Sequence, residues 1–259
     1  MDKLNENWVG WRRDIHRHPE LGFGEARTSA VIAERLESFG IETHTGIGGT
    51  GVVGVLRRGS GARSVGLRAD IDALPIQEAN EFDHRSVNDG KFHGCGHDGH
   101  TAMLLAAAET LSAAESIDGT VNFIFQPNEE NGLGALAMMD DGLFERFEMD
   151  AVYGMHNMPG IPAGHFAVRK GPMMTFEDNF VISIRGLGGH ASMPNRTRDP
   201  VVVAAEIISA LQTIVARSLN PMDSGVVSVT EVHTDGARNV IPSNVTIKGD
   251  TRGLSDHVQ

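Results

Sequence analysis

The chain has 259 residues, 40% apolar and 22% charged, which suits one large or two ordinary globular domains. Its 22 Lys and Arg against 34 Asp and Glu give a net charge of −12, which argues against the basic patches that nucleic acid or an anionic membrane would need. A single cysteine excludes an internal disulfide, the first residues lack the apolar run of a signal peptide, and no uninterrupted apolar stretch of membrane-spanning length is expected, so the expectation is a cytoplasmic protein.

Leu4, Trp8, Trp11 and Ile15 recur at helical spacing and predict a first helix stopped by Pro19. A second is expected from about Ala26 to Phe39, with Val31, Ile32, Leu36 and Phe39 inward and Gly40 as terminator. Gly51 to Leu56 and Val65 to Ala69 read as strands, the latter running into Asp70-Ile71-Asp72. Ala102 to Ala114 reads as a buried helix. Val121 to Phe125 is an apolar strand leading to Gln126-Pro127-Asn128-Glu129-Glu130, and Ala151 to Met155 a short strand leading to His156-Asn157. Beyond Gly171-Pro172 the texture changes. Asn179 to Arg185 alternates like a half-exposed strand, Asp199 to Leu219 is a long helix with Pro200 in its first turn, and Gly225 to Val232 and Asn244 to Arg252 are further strands.

The first part thus implies an α/β sheet covered on both faces, and the second a small α+β domain. Ligands of such sheets bind beyond the carboxyl ends of strands, where Asp70, Asp72, Glu129, Glu130 and His156 all fall.

The string Gly94-Cys95-Gly96-His97-Asp98-Gly99-His100-Thr101 holds the lone cysteine. Thiolate, imidazole and carboxylate bind Zn²⁺ and its neighbours, so Cys95 and His97 are candidate ligands rather than a buried thiol and a capping histidine. In the Glu129-Glu130 pair, one carboxylate could ligate a metal while the other takes a proton from water. His156 either caps a strand end or reaches the same site, and Asp70 and Asp72 either stabilise a turn or orient a ligand histidine. His190, in Gly-Gly-His-Ala-Ser, and Asn239 and Arg252 are weaker candidates for binding a carbonyl and a carboxylate.

Together these motifs resemble the aminoacylase and zinc-carboxypeptidase superfamily, in the amidohydrolase branch with hippurate hydrolase and the auxin-conjugate hydrolases. The matching strings are Arg17-His18-Pro19-Glu20-Leu21, Leu67 to Pro75, Gly94 to Thr101, Gln126 to Glu130, Met155-His156-Asn157, Gly189-His190-Ala191-Ser192 and Asn239-Val240-Ile241-Pro242. The resemblance implies a metallopeptidase-like catalytic domain over 1–174 with helices on both faces of a mixed sheet. It implies a ferredoxin-like lid and dimerisation domain over 175–259. Two divalent ions, Mn²⁺ or Zn²⁺ with Co²⁺ or Ni²⁺ as further options, would use Cys95, His97, Glu130 and His156. Glu129 would be the general base, and Asp70, Asp72 and Asp98 would support the ligands from behind. His190 would steady the oxyanion, and Asn239 and Arg252 would bind substrate, Arg252 through the amino-acid carboxylate.

Two features depart from the family pattern. Asn128 stands where the family usually has Ala. The returning catalytic segment, with a last ligand histidine, is not found before Gln259, and His257 is not read as that ligand, so a C-terminally truncated chain is expected. The implied function is hydrolysis of N-acyl amino acids by a homodimer. A dipeptidase or carboxypeptidase, or an inactive metal-binding or dimerising fragment, are the alternatives. A structural zinc module fits least, because such sites prefer four closed Cys and His ligands.

Overall fold

A computed structural model describes residues 6–259. The chain divides into two compact units, one ending at Gly160 and the other Ile161–Gln259.

In the first unit the elements are α1 (Glu6–Arg17), α2 (Ala26–Ser38), β1 (Glu42–Ile47), β2 (Gly51–Arg58), β3 (Ser64–Asp70), α3 (His97–Ser112), β4 (Gly119–Gln126), α4 (Gly134–Asp140), α5 (Leu143–Arg146) and β5 (Ala151–Gly154). The strands form one mixed sheet in the order β1-β2-β4-β3-β5. β3 runs parallel to β4 and β5, while β2 is antiparallel to β4 and to β1.

Strand alternation sends successive side chains to opposite faces. Val52 and Leu56 of β2 with Val121, Phe123 and Phe125 of β4 pack against Ile32 and Leu36 of α2 and Leu104, Leu105 and Ala108 of α3. Their neighbours Val53 and Ile124 pack on the other side against Met138, Leu143 and Phe147, around α4 and α5. Both faces are therefore covered. Leu4, expected on α1, lies outside the described residues.

In the second unit, β6 (Phe176–Arg185), β7 (Gly189–His190), α6 (Pro200–Thr213), β8 (Gly225–Thr234), β9 (Val240–Ile241) and β10 (Asn244–Gly253) follow. β6, β10 and β8 make an antiparallel sheet, and β7 pairs with β9. Phe180, Ile182 and Ile184 alternate inward from β6 and meet Val245 and Ile247 of β10 and Ala204, Ile207 and Ile208 of α6. Asp199 caps α6 by accepting from the Val201 N–H.

α6 with its π-helical continuation, Pro200–Ser218, is 19 residues of mean hydropathy 1.5, long and apolar enough by length and composition to cross a membrane. Glu206 and Arg217 do not lower the mean enough to exclude it. The same composition serves a helix that packs Ala204, Ile207 and Ile208 on a sheet.

Candidate metal centre

Because β3, β4 and β5 are parallel, their carboxyl ends share one rim of the sheet. Asp70 closes β3, the Glu129-Glu130 loop follows β4, and His156 follows β5. The lone cysteine reaches the same rim through Gly96, the residue before α3. Gly96 is left-handed, with φ 90°, and a Cβ there would stand 2.3 Å from Asn157 Oδ1. Any other residue would be strained there and would push the Asn157 side chain aside, and the turn sets Cys95 Sγ 3.4 Å from His156 Nε2.

His97 is common to three groups of potential ligand atoms: Cys95 with His156, Glu129 with Glu130, and Asp70 with His100. Its Nδ1 faces the Asp72 carbonyl at 3.0 Å and Asp72 Oδ1 at 3.1 Å, which puts the proton on Nδ1 and leaves a lone pair on Nε2. That Nε2 is buried without a hydrogen-bond partner. It lies 3.8 Å from Glu130 Oε1, itself buried and unpartnered, and 3.9 Å from Glu129 Oε2. Ligands sharing one tetrahedral ion stand about 3.4–3.6 Å apart. A neutral His97 Nε2 and a Glu130 carboxylate are both acceptors, costly to bury face to face unless a proton or a cation lies between them. The donor set therefore fits a divalent ion.

The electrostatics agree. Burial alone would lower the His97 pKa, but the bond to Asp72, the Cys95 contact and the charges of Asp70 and Asp72 push it up to about 11. Burial pushes the Glu130 carboxyl up, and the charges of Glu129, Asp72 and Asp70 add to this against the pull of His97. The surrounding carboxylates thus favour positive charge at His97, where a cation would sit.

Asp72 does two tasks, since its Oδ2 also accepts from the Glu130 N–H at 3.0 Å. Asp70 accepts from His100 Nδ1 at 2.6 Å and from Arg68 Nη1 at 2.7 Å. Burial would raise its carboxyl, but these two partners hold it well below the usual carboxylate range. His100 Nε2 in turn accepts from the Asn157 N–H at 3.0 Å. Both of its ring nitrogens are engaged, so His100 has none left for a metal, and it anchors the segment carrying His156. Its position three residues after His97, on the same helical face, was the available signal.

Asp98 points away from this cluster. Its Oδ2 accepts from Arg12 Nε at 3.0 Å and meets His16 Nδ1 at 2.9 Å, while His16 Nε2 meets Glu78 Oε1 at 3.0 Å. Sequence reasoning missed His16 and Glu78, which lie 62 residues apart and carry no local pattern.

In the second unit, β7–β9 pairing sets His190 opposite Val240, and the Ala191 N–H donates to the Asn239 carbonyl at 3.0 Å. His190 Nδ1 accepts from Ser192 N–H and faces Ser192 Oγ at 2.8 Å. Arg252 sits near the far end of β10, with Nη2 2.8 Å from Glu177 and Nε 2.6 Å from Asp250.

A mixed α/β sheet with such a cluster at its parallel strand ends defines a protein built to hold divalent metal at that rim. The chain belongs to Peptidase family M20/M25/M40, whose profile matches residues 66–250. It is 45% identical to the hippurate hydrolase of Campylobacter jejuni over 96% of this chain and 64% of that protein. It is 44% identical to an IAA-amino acid hydrolase of Arabidopsis thaliana over 95% of this chain and 56% of that protein. A crystal structure of a dinuclear metal binding peptidase of the M20 family from Bacillus subtilis superposes with a TM-score of 0.72 at 36% identity, covering 97% of this chain and 65% of that one. The chain thus spans less than two thirds of the length of these relatives.

Proposed function

We propose that the protein is an amidohydrolase that cleaves the amide bond of N-acyl amino acids. The observation that carries this reading is the unpartnered His97 Nε2 facing Glu130 Oε1, with Glu129 beside them. The names of the two curated relatives support the substrate class.

Cys95, His97, Glu130 and His156 would hold two divalent ions, Mn²⁺ or Zn²⁺. When bound, such ions polarise a carbonyl and lower the pKa of water. Glu129 is the freer carboxylate of its pair, with 41% of its side chain exposed against 19% for Glu130. It is suited to take a proton from the attacking water and return it to the leaving amine. Asp72 fixes the His97 tautomer, and Asp70 acts through His100 on the His156 segment. His190 would steady the developing oxyanion, Asn239 would bind the substrate carbonyl, and Arg252 its carboxylate, in competition with Glu177 and Asp250. The second unit would serve as lid and dimerisation surface.

The test is a panel of benzoyl- and acetyl-amino acids and dipeptides, assayed with Mn²⁺ or Zn²⁺ and after chelation. The expected result is metal-dependent release of amine from the acylated substrates. Cleavage of free dipeptides alone would move the assignment to a dipeptidase. No cleavage by metal-loaded protein would overturn it.

A further inference from the structure

Glu25 precedes α2, the position from which a side chain usually caps the first turn, yet it makes no cap bond. Glu20 supplies those bonds instead, accepting from the Arg27 N–H at 3.1 Å and the Thr28 N–H at 2.8 Å. Glu25 is thereby free to point elsewhere. Fully buried, it crosses 103 residues of sequence to the loop after β4, where Oε1 accepts from the Asn128 N–H at 2.9 Å. Its Oε2 accepts from Thr50 Oγ1 at 2.6 Å.

Asn128 immediately precedes Glu129. It is left-handed, with φ 46°, a conformation only Phe23 shares among the described non-glycine residues. Asparagine tolerates it better than most side chains. The segment bearing Glu25 also makes room for the Asn128 side chain: a Cβ on Gly22 would stand 1.9 Å from Asn128 Oδ1. Gly22 and Glu25 thus both fit one residue of the distant loop.

The consequence is geometric. In extended backbone, consecutive side chains point to opposite faces. Glu129 and Glu130 are consecutive, yet both bring a carboxylate oxygen within 4 Å of His97 Nε2, at 3.9 and 3.8 Å. The turn that converges them is held at Glu130 N by Asp72 and at Asn128 N by Glu25.

We propose that Glu25 is a positioning residue: by holding the Asn128 N–H it fixes the left-handed turn that aims Glu129 and Glu130 at His97. This rests on the metal-centre reading above. The test titrates the purified protein with Co²⁺ alone and follows the Co²⁺ absorption bands, in wild type, Glu25→Gln and Glu25→Asp. Gln keeps an acceptor for Asn128, and the Thr50 hydroxyl can turn to accept from its amide. Asp keeps the charge but is one methylene short of spanning both partners.

The expected result is Co²⁺ affinity within about twofold of wild type in Glu25→Gln, and weaker by about tenfold or more with altered bands in Glu25→Asp. Wild-type affinity and bands in Glu25→Asp would overturn the proposal. So would loss of binding in Glu25→Gln, which is decisive even if Glu25→Asp fails to fold. A wild-type protein that binds no Co²⁺ would instead overturn the metal-centre reading.

Discussion

Replacing Asp72 by Asn changes one atom and confronts two donors with one acceptor. Asp72 faces the Nδ1–H of His97 with Oδ1 and the Glu130 N–H with Oδ2, at 3.1 and 3.0 Å. If the Asn oxygen serves Glu130, its amide hydrogens oppose the His97 Nδ1–H. The Nδ1–H is then left with the Asp72 backbone carbonyl alone, at 3.0 Å, and the imidazole loses the carboxylate that strengthens Nε2 as a ligand. If the oxygen serves His97 instead, the buried Glu130 N–H is left unpaired at a cost of about 1–3 kcal/mol. Either arrangement weakens a ligand, and loss of such a supporting hydrogen bond typically lowers metal affinity about 10–100-fold. That corresponds to about 1.4–2.7 kcal/mol. Calorimetric titration of wild type and Asp72→Asn with Mn²⁺ or Zn²⁺ measures it, with circular dichroism confirming that both are folded. Equal dissociation constants would refute the claim that the Asp72 carboxylate supports His97 and Glu130 as ligands.

Gly96→Ala forces a side chain into a left-handed turn and against Asn157, and should lower the melting temperature by the equivalent of at least about 1–2 kcal/mol. An unchanged melting curve would show that the loop does not need that turn. His16 lies between Asp98 and Glu78, with Arg12, His84 and His93 also nearby. Burial works to lower its pKa, but the two carboxylates raise it above 6.5. A raised pKa contributes stability that is complete below 6.5 and fades as pH climbs through the folded value. The gap in melting temperature between wild type and His16→Gln should therefore be wider at about pH 6 than at about pH 9. A gap that widens with pH would contradict the bridge.

The strand ends were legible because β2 and the end of β4 are continuous apolar runs and β3 alternates Val65, Leu67 and Ala69, patterns that a covered sheet produces. β1 was missed because Glu-Thr-His-Thr-Gly-Ile is an exposed edge strand with no apolar alternation to read. α4 and α5 are too short to build a periodic pattern. α3 starts at His97 rather than near Ala102, because its first turn is made of the motif itself. Those residues are chosen for bonds to Asp70, Asp72 and Asn157 and so hide the helical period. The placing of Glu129, Glu130 and His156 on one rim followed from the rule that parallel strands end together, whereas Cys95 and His97 were read from their ligand chemistry in a glycine-rich loop that opens a helix. The supporting contacts of Glu25, His16 and Glu78 bridge 62 to 103 residues and appear only once the chain is folded.

The most direct test of the account is Glu129→Gln, compared with wild type for bound metal by mass spectrometry and for hydrolysis of benzoylglycine. If Glu130 binds metal while Glu129 moves the proton, the variant keeps its metal and loses about 10²–10⁴-fold in turnover. Wild-type turnover in Glu129→Gln, or loss of the metal with it, would contradict that division of labour.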